Sequence, residues 1–191
     1  LPLLERFPSL AALPRAELGR FPSPVERLPA AGDRPALWLK RDDRNVDPPL
    51  PGGNKVRALE FLLGPVIPGD TVVTLGGEGS THVLATAVHA ARLGARTVAL
   101  RWPHDANPTA AAVAAESARR CARVLRVPHA VVGLAAAALL ALARRPRTHV
   151  VPVGGSTPLG TLGHVNAALE LAAQVEAGLV PAPSHVVVPL G

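Results

Sequence analysis

The sequence predicts an open, doubly wound, mostly parallel α/β sheet. Three observations carry this reading. Short apolar runs alternate with longer Ala-rich segments whose apolar positions recur at helical spacing. The helical segments between them run about a dozen residues or more, the length of crossover that sets consecutive strands parallel. Two of the apolar runs lead straight into glycine-rich turns, Gly76-Gly77-Glu78-Gly79-Ser80 and Gly154-Gly155-Ser156. In such sheets ligands bind outside the carboxyl ends of the strands, so both turns are expected to face one crevice.

The elements follow in order. Residues 1–35 are rich in Pro and Arg, show little periodicity and are expected to wrap over a surface. Ala36 to Lys40 is a short apolar run, followed by the charged turn Arg41-Asp42-Asp43-Arg44, read as a solvated cluster of ion pairs. After Gly52-Gly53-Asn54-Lys55, the residues Val56, Leu59, Glu60, Leu62 and Leu63 have helical spacing, and Gly64-Pro65 ends the helix. Strands are predicted at Thr71–Leu75, Thr97–Leu100, Val124–Val127, His149–Val153 and Ser184–Leu190. Helices are predicted at Thr81–Leu93, from Asn107-Pro108 to about Cys121, at Val131–Ala143 and from about Gly163 to Ala177. Asn107 is a natural N-cap, with proline at the first helical position. The chain divides into residues 1–65, the first portion of a larger domain, residues 66–177, a smaller α/β domain, and residues 178–191, a strand returning to the larger one.

Composition narrows the functional classes. Of 191 residues, 48% are hydrophobic but only 3% aromatic, so Ala, Val and Leu must fill the core. The single cysteine, Cys121, excludes an internal disulfide, suits the cytoplasm, and reads as a small hydrophobe at a helix end. The net charge of +6 is dispersed, with no basic run interleaved with aromatics, which argues against nucleic acid as a partner. Ala130 to Ala143 is the longest apolar stretch, short of the roughly 18 residues of a membrane span, and reads as a buried helix. A chain without methionine is expected to be a processed or partial one.

The chemistry points to lysine. Eighteen of the 20 basic residues are arginine, and the two lysines are Lys40 and Lys55. An amine can lose its proton, attack a carbonyl and form a Schiff base, which a guanidinium cannot do. Lys55, behind two glycines, is therefore the candidate nucleophile, the bland reading being a surface lysine after a tight turn. Gly76 to Ser80 leads into a helix N-terminus that would welcome a carboxylate or phosphate, although Ser80 capping the helix would satisfy the same geometry. This turn lacks the GxGxxG spacing of a dinucleotide site. His82 and His89 lie on one helix face without a third ligand for zinc. Ser80, His82 and Asp42 make a hydrolytic triad only on paper, since the GxSxG elbow is missing.

Four segments in order resemble the family of D-cysteine desulfhydrases and 1-aminocyclopropane-1-carboxylate deaminases. They are Leu37-Trp38-Leu39-Lys40-Arg41-Asp42-Asp43, then Gly52-Gly53-Asn54-Lys55-Val56-Arg57 with Leu59-Glu60-Phe61-Leu62, then Ser80-Thr81-His82, and Val153-Gly154-Gly155-Ser156-Thr157-Pro158-Leu159-Gly160 with Gly163-His164-Val165. The resemblance implies a tryptophan-synthase-β-like fold of type II, pyridoxal 5'-phosphate as cofactor and a homodimer. It implies that Lys55 binds the cofactor covalently and serves as base at Cα, with Ser80 receiving the substrate carboxylate. Asn54, Thr81, His82 and Gly191 would contact the cofactor.

This sequence carries Thr81 where that family has Asn, Gly79 where it has Gln, and Ala58 where it has Lys. His82 resembles the desulfhydrase branch. The 191 residues resemble the first part of a longer enzyme, stopping at Gly191 where a phosphate loop is expected. The expected function is elimination or deamination of a small amino acid, D-cysteine giving pyruvate, ammonia and sulfide. A non-catalytic ligand-binding protein that kept the fold, and a nucleotide-binding α/β domain, are the rival readings.

Overall fold

The computed structural model describes residues 1–29, 36–105, 107–142 and 147–188. Its centre is a four-stranded parallel sheet in the order β5-β4-β3-β6. The strands are β3 (Thr71–Gly77), β4 (Arg96–Trp102), β5 (Arg123–Arg126) and β6 (Thr148–Val151). Val73 of β3 stands opposite Val98 of β4 and Val150 of β6, so β3 is central and apolar on both faces.

Alternation along β3 sorts the core into two layers. Val72, with Val151, packs beneath α3 (Thr81–Arg92) and α2 (Asn54–Leu62), touching Ala85, Ala90, Val56 and Leu59. Val73 and Leu75, with Leu100, pack on the other side against Ala137 of α5 (Ala130–Leu142). Helix α4 (Pro108–Arg120) shares the α3 side and is tied to the sheet by buried Arg101, which donates to the Ala114 carbonyl at 3.0 Å and to Ser117 Oγ.

The winding places the site. From β3 through β4 to β5 the chain advances in one direction, with α3 and α4 as crossovers. Helix α5 then crosses the opposite face and sets β6 on the far side of β3. Strand order therefore reverses between β3 and β6, and the crevice at their carboxyl ends is where a doubly wound sheet takes its ligand.

Of the remaining elements, α2 lies against α3 and the turn after β6. Helix α6 (Pro158–Glu176) lies against α2 and α1 (Pro2–Arg6), and β1 (Val25–Arg27) pairs antiparallel with β2 (Trp38–Lys40). The contact between α2 and α6 requires glycine: a Cβ on Gly163 would lie 2.1 Å from the Arg57 carbonyl oxygen. Side chains of these helices also pin the N-terminal segment. Leu3 N donates to Asn166 Oδ1 at 3.1 Å, and Leu18 N to Glu60 Oε1 at 3.0 Å, which is how the proline-rich segment wraps the surface.

Three expectations are corrected. Ser184 to Val188, the described part of the last predicted strand, is not a strand, and Val186, Val187 and Val188 are exposed. A strand needs a neighbour to satisfy its backbone, and none of the described strands lies beside this segment. Helix α5 is not buried all round: it covers the sheet with Gly133 and Ala137, while Val131, Leu139 and Leu142 face outward. Helix α6 begins at Pro158 rather than Gly163, because Thr157 caps it, its Oγ1 accepting from Gly160 N at 2.9 Å. Ala143, Leu190 and Gly191 lie outside the described residues. No described helix is long and apolar enough to cross a membrane.

Candidate active site

Lys55 is set by a braced loop. Gly53, at φ 104°, is the N-cap of α2, a conformation that suits glycine. Asn45 holds this turn from both sides, accepting from Gly53 N at 3.1 Å and donating to the Gly53 carbonyl at 3.0 Å. Lys55 follows in the first turn of α2, half-buried, with Nζ donating to Asn54 Oδ1 at 3.2 Å. Among the described residues its ammonium group forms no ion pair.

Lys40 behaves differently. Its Nζ lies 3.0 Å from Glu170 Oε2, 3.0 Å from Gln174 Oε1 and 3.2 Å from the Ser23 carbonyl. One lysine is consumed by structure and the other keeps its amine available.

Ser80 caps α3, its Oγ accepting from Val83 N at 3.4 Å, and Thr81 stands exposed at the first helical position. The cap satisfies Val83 N, and a helix N-terminus of this kind is also the geometry that binds an anion. An open groove of about 420 Å³ begins here, lined by Gly79, Thr81, Asn107, Thr109 and Ala110. It runs between the N-termini of α3 and α4, and Lys55 lies outside it.

His82 joins the two sides. It is 3% exposed, and neither ring nitrogen has a hydrogen-bond partner among the described residues. The Gly154-Gly155 turn after β6 closes over it: a Cβ on Gly155, itself at φ 72°, would meet Leu62 at 3.1 Å, His82 Cε1 at 3.3 Å and Ala58 at 3.4 Å. Both glycine-rich turns thus meet at one place, as the sequence predicts. Burial, then the positive charge of Lys55, lowers the His82 pKa to about 4, so the ring is neutral.

Other expectations fall away. Asp42 is not part of a solvated cluster; it accepts from Arg57 Nε at 2.8 Å and from Ser23 Oγ at 2.7 Å. Burial alone would raise its carboxyl, but these bonds overcome it and hold the group below the usual carboxylate range. Asp43 does form the expected exposed pair with Arg41. With Asp42 on Arg57 and His82 unbonded, Ser80, His82 and Asp42 make no triad. His89 bonds the Pro51 carbonyl at 3.1 Å and Arg92 at 3.1 Å, away from any shared site with His82.

Sequence reasoning missed the polar core behind Lys55. Arg57 is fully buried, bonded to Asp42, Ser23 and Glu170, with its guanidinium 4.5 Å from the centre of the Phe21 ring. Glu170 also accepts from Asn166 Nδ2 at 2.6 Å. The available signal was the helix pattern itself, which puts Arg57 and Glu60 inside a turn of apolar residues.

The protein is a doubly wound parallel α/β sheet with Lys55 at the start of a helix that packs against the turn after β6, and Ser80 capping a second helix. Residues 16–191 match the family described as pyridoxal-phosphate dependent enzymes, and the chain belongs to that family. It is 39% identical to a D-cysteine desulfhydrase of Salmonella paratyphi A over 87% of this chain and 54% of that one. It is also 39% identical to a nocardicin C-9' epimerase of Nocardia uniformis, over 94% of this chain and 56% of the relative. The crystal structure of an ACC deaminase homologue matches with a TM-score of 0.70 and 30% identity, over 88% of this chain and 53% of that one. An O-ureido-L-serine synthase mutant, at TM-score 0.56 and 20% identity, shares the fold. The chain spans about half the length of the relatives it matches.

The residues fit the cofactor this family uses. Among the described residues, Lys55 offers an amine free of ion pairs, the first turn of α3 offers backbone donors, and the ring nitrogens of His82 in that turn are unbonded.

Proposed function

We propose that the protein carries pyridoxal phosphate at Lys55 and removes the α-proton of a small amino acid, leading to elimination or deamination as in D-cysteine desulfhydration. The observation that carries this is the Lys55 amine, without an ion pair among the described residues and near enough to His82, in the first turn of α3, for its charge to act on that ring. When bound, the cofactor supplies an electron sink for the charge left at Cα.

The chain's own residues do the rest. Ser80 and the first N–H groups of α3 hold the substrate carboxylate, fixing Cα toward Lys55. Thr81 offers a hydroxyl to the cofactor ring, and Asn54 orients the Lys55 side chain through its 3.2 Å hydrogen bond. Lys55 Nζ takes the proton from Cα. With D-cysteine, the Cβ–S bond then breaks, its electron pair leaving with sulfur as hydrosulfide, and hydrolysis of the resulting enamine gives pyruvate and ammonia. The same opening step serves epimerisation of a carbon centre, which fits the two kinds of relative.

Gly191, also proposed as a cofactor contact, lies outside the described residues. We further propose a cytoplasmic homodimer with no nucleic-acid or membrane partner. The single cysteine and the dispersed charge support this, as do the apolar residues Val131, Leu139 and Leu142 facing outward on α5.

The test is a visible absorbance spectrum with pyridoxal phosphate, then borohydride reduction and peptide mapping. Label on Lys55 with sulfide release from D-cysteine is the expected result. Label scattered over Lys40 and the N-terminus would overturn the assignment.

A further inference from the structure

His82 is more than packing. It is buried with two unbonded ring nitrogens, an arrangement that costs free energy unless a partner arrives. Its tautomer follows from its neighbours. The Pro152 carbonyl approaches one side of the ring, outside hydrogen-bond geometry but in the direction that favours a proton there. In a neutral imidazole the other nitrogen is then a bare acceptor.

Of the charged side chains on α2 and α3, Lys55 is the one near the ring that has neither an ion pair nor a backbone bond among the described residues. On α2, Arg57 is bound to Asp42 and Glu170, and Glu60 to Arg15 and the backbone of Leu18 and Gly19. The turn from Pro152 to Ser156 has no titratable side chain. On α3 itself, His89 and Arg92 bond to each other and to the Pro51 and Leu18 carbonyls. Lys55 remains: it lies one turn before Ala58, which flanks Gly155 together with His82, its charge acts on the ring, and Asn54 holds its Nζ.

We propose that His82 is a positioning residue for Lys55: its bare ring nitrogen accepts a hydrogen bond from the Lys55 amine, holding it over the substrate Cα whenever it is not covalently engaged. The neutral ring suits this task, since a second cation beside Lys55 would repel it. The Gly154-Gly155 turn takes part by closing over the ring, because a side chain at Gly155 would press on His82 Cε1. The inference rests on the proposed function for its catalytic meaning, but the contact itself can be tested without the cofactor.

The experiment is imidazole nitrogen-15 spectroscopy of the cofactor-free protein, wild type against Lys55→Met, which keeps the side-chain length and removes the charge. One N–H and one bare nitrogen are expected for His82, with the bare-nitrogen resonance displaced by Lys55→Met and the N–H resonance unmoved. An unmoved bare nitrogen, or displacement of the N–H nitrogen alone, overturns the proposal whatever the fate of the Lys55 label. In the loaded enzyme, His82→Leu should lower kcat about tenfold or more with KM little changed, as for loss of a hydrogen bond to a charged group. His82→Gln, which restores an acceptor oxygen, should recover most of that rate. Equal impairment by Leu and Gln would reduce His82 to packing and sink the idea. Absence of label on wild-type Lys55 would defeat the proposed function instead, leaving the spectroscopic result to stand alone.

Discussion

Arg57 grips Glu170 with both guanidinium arms, Nη1 to Oε1 at 3.1 Å and Nη2 to Oε2 at 3.0 Å, with both side chains buried. The fork joins α2 to α6 two residues beyond Lys55. Asp42 completes it from the other side, with Nη2 to Oδ1 at 2.7 Å, and Lys40 adds a second cation to Glu170. Two cations meet two carboxylates, so the buried network is neutral.

Removing one member should therefore cost far more than the pair contributes. Arg57→Met would leave Asp42 and Glu170 facing Lys40 alone, and a loss of about 3–5 kcal/mol is expected in urea unfolding. Adding Glu170→Leu should recover part of it, because the uncompensated carboxylate goes too.

Gly163→Ala tests the helix contact. The new Cβ meets the Arg57 carbonyl oxygen, which is backbone and cannot rotate away. Thermal or urea unfolding should show a loss of at least about 3 kcal/mol, at the top of the usual overpacking range. Label incorporation at Lys55 should fall with it, since α2 must shift.

His82 makes stability depend on pH. Its pKa is about 4 in the folded protein against 6.5 for the free side chain. Between these values the unfolded chain binds a proton that the folded protein refuses, so stability falls as pH drops from about 6.5 to about 4, by an order of 3 kcal/mol at most. Asp42 acts in a lower window. Its depressed pKa gives stability that is present above 3.8 and lost as pH falls through the folded value. Urea midpoints between pH 7 and 4.5 should decline in wild type and stay flatter in His82→Gln.

Ser80→Ala separates capping from ligand binding. The capping bond is long, 3.4 Å, so a loss near 0.5–1 kcal/mol of stability is expected. Under the proposed carboxylate-binding role of Ser80, KM for the amino acid should rise about tenfold. A fall in stability with unchanged KM would make Ser80 a cap alone.

The sequence by itself determined the alternating parallel architecture, because apolar runs and helical spacing are local patterns. It also exposed Lys55, the lysine behind two glycines in an arginine-rich chain, and the two glycine-rich turns. Asn107 and the Ser80 helix start were legible for the same reason, since a cap is read from neighbouring residues.

The tertiary structure decided what depends on distant partners. Asp42 reads as solvated beside Arg41 and Arg44, yet Arg57 and Ser23 claim it across the fold. The apolar run ending in Val186, Val187 and Val188 is strand-like by composition, but a strand exists only where a neighbour takes its hydrogen bonds. The sequence reads α5 as buried, yet Val131, Leu139 and Leu142 face outward, because an apolar helix does not say how many elements will cover it. His82 is the sharpest case. Its residue type was visible from the start, while its burial beneath Gly155 and its nitrogens, unbonded among the described residues, came only from α2, α3 and the β6 turn converging where the strand order reverses.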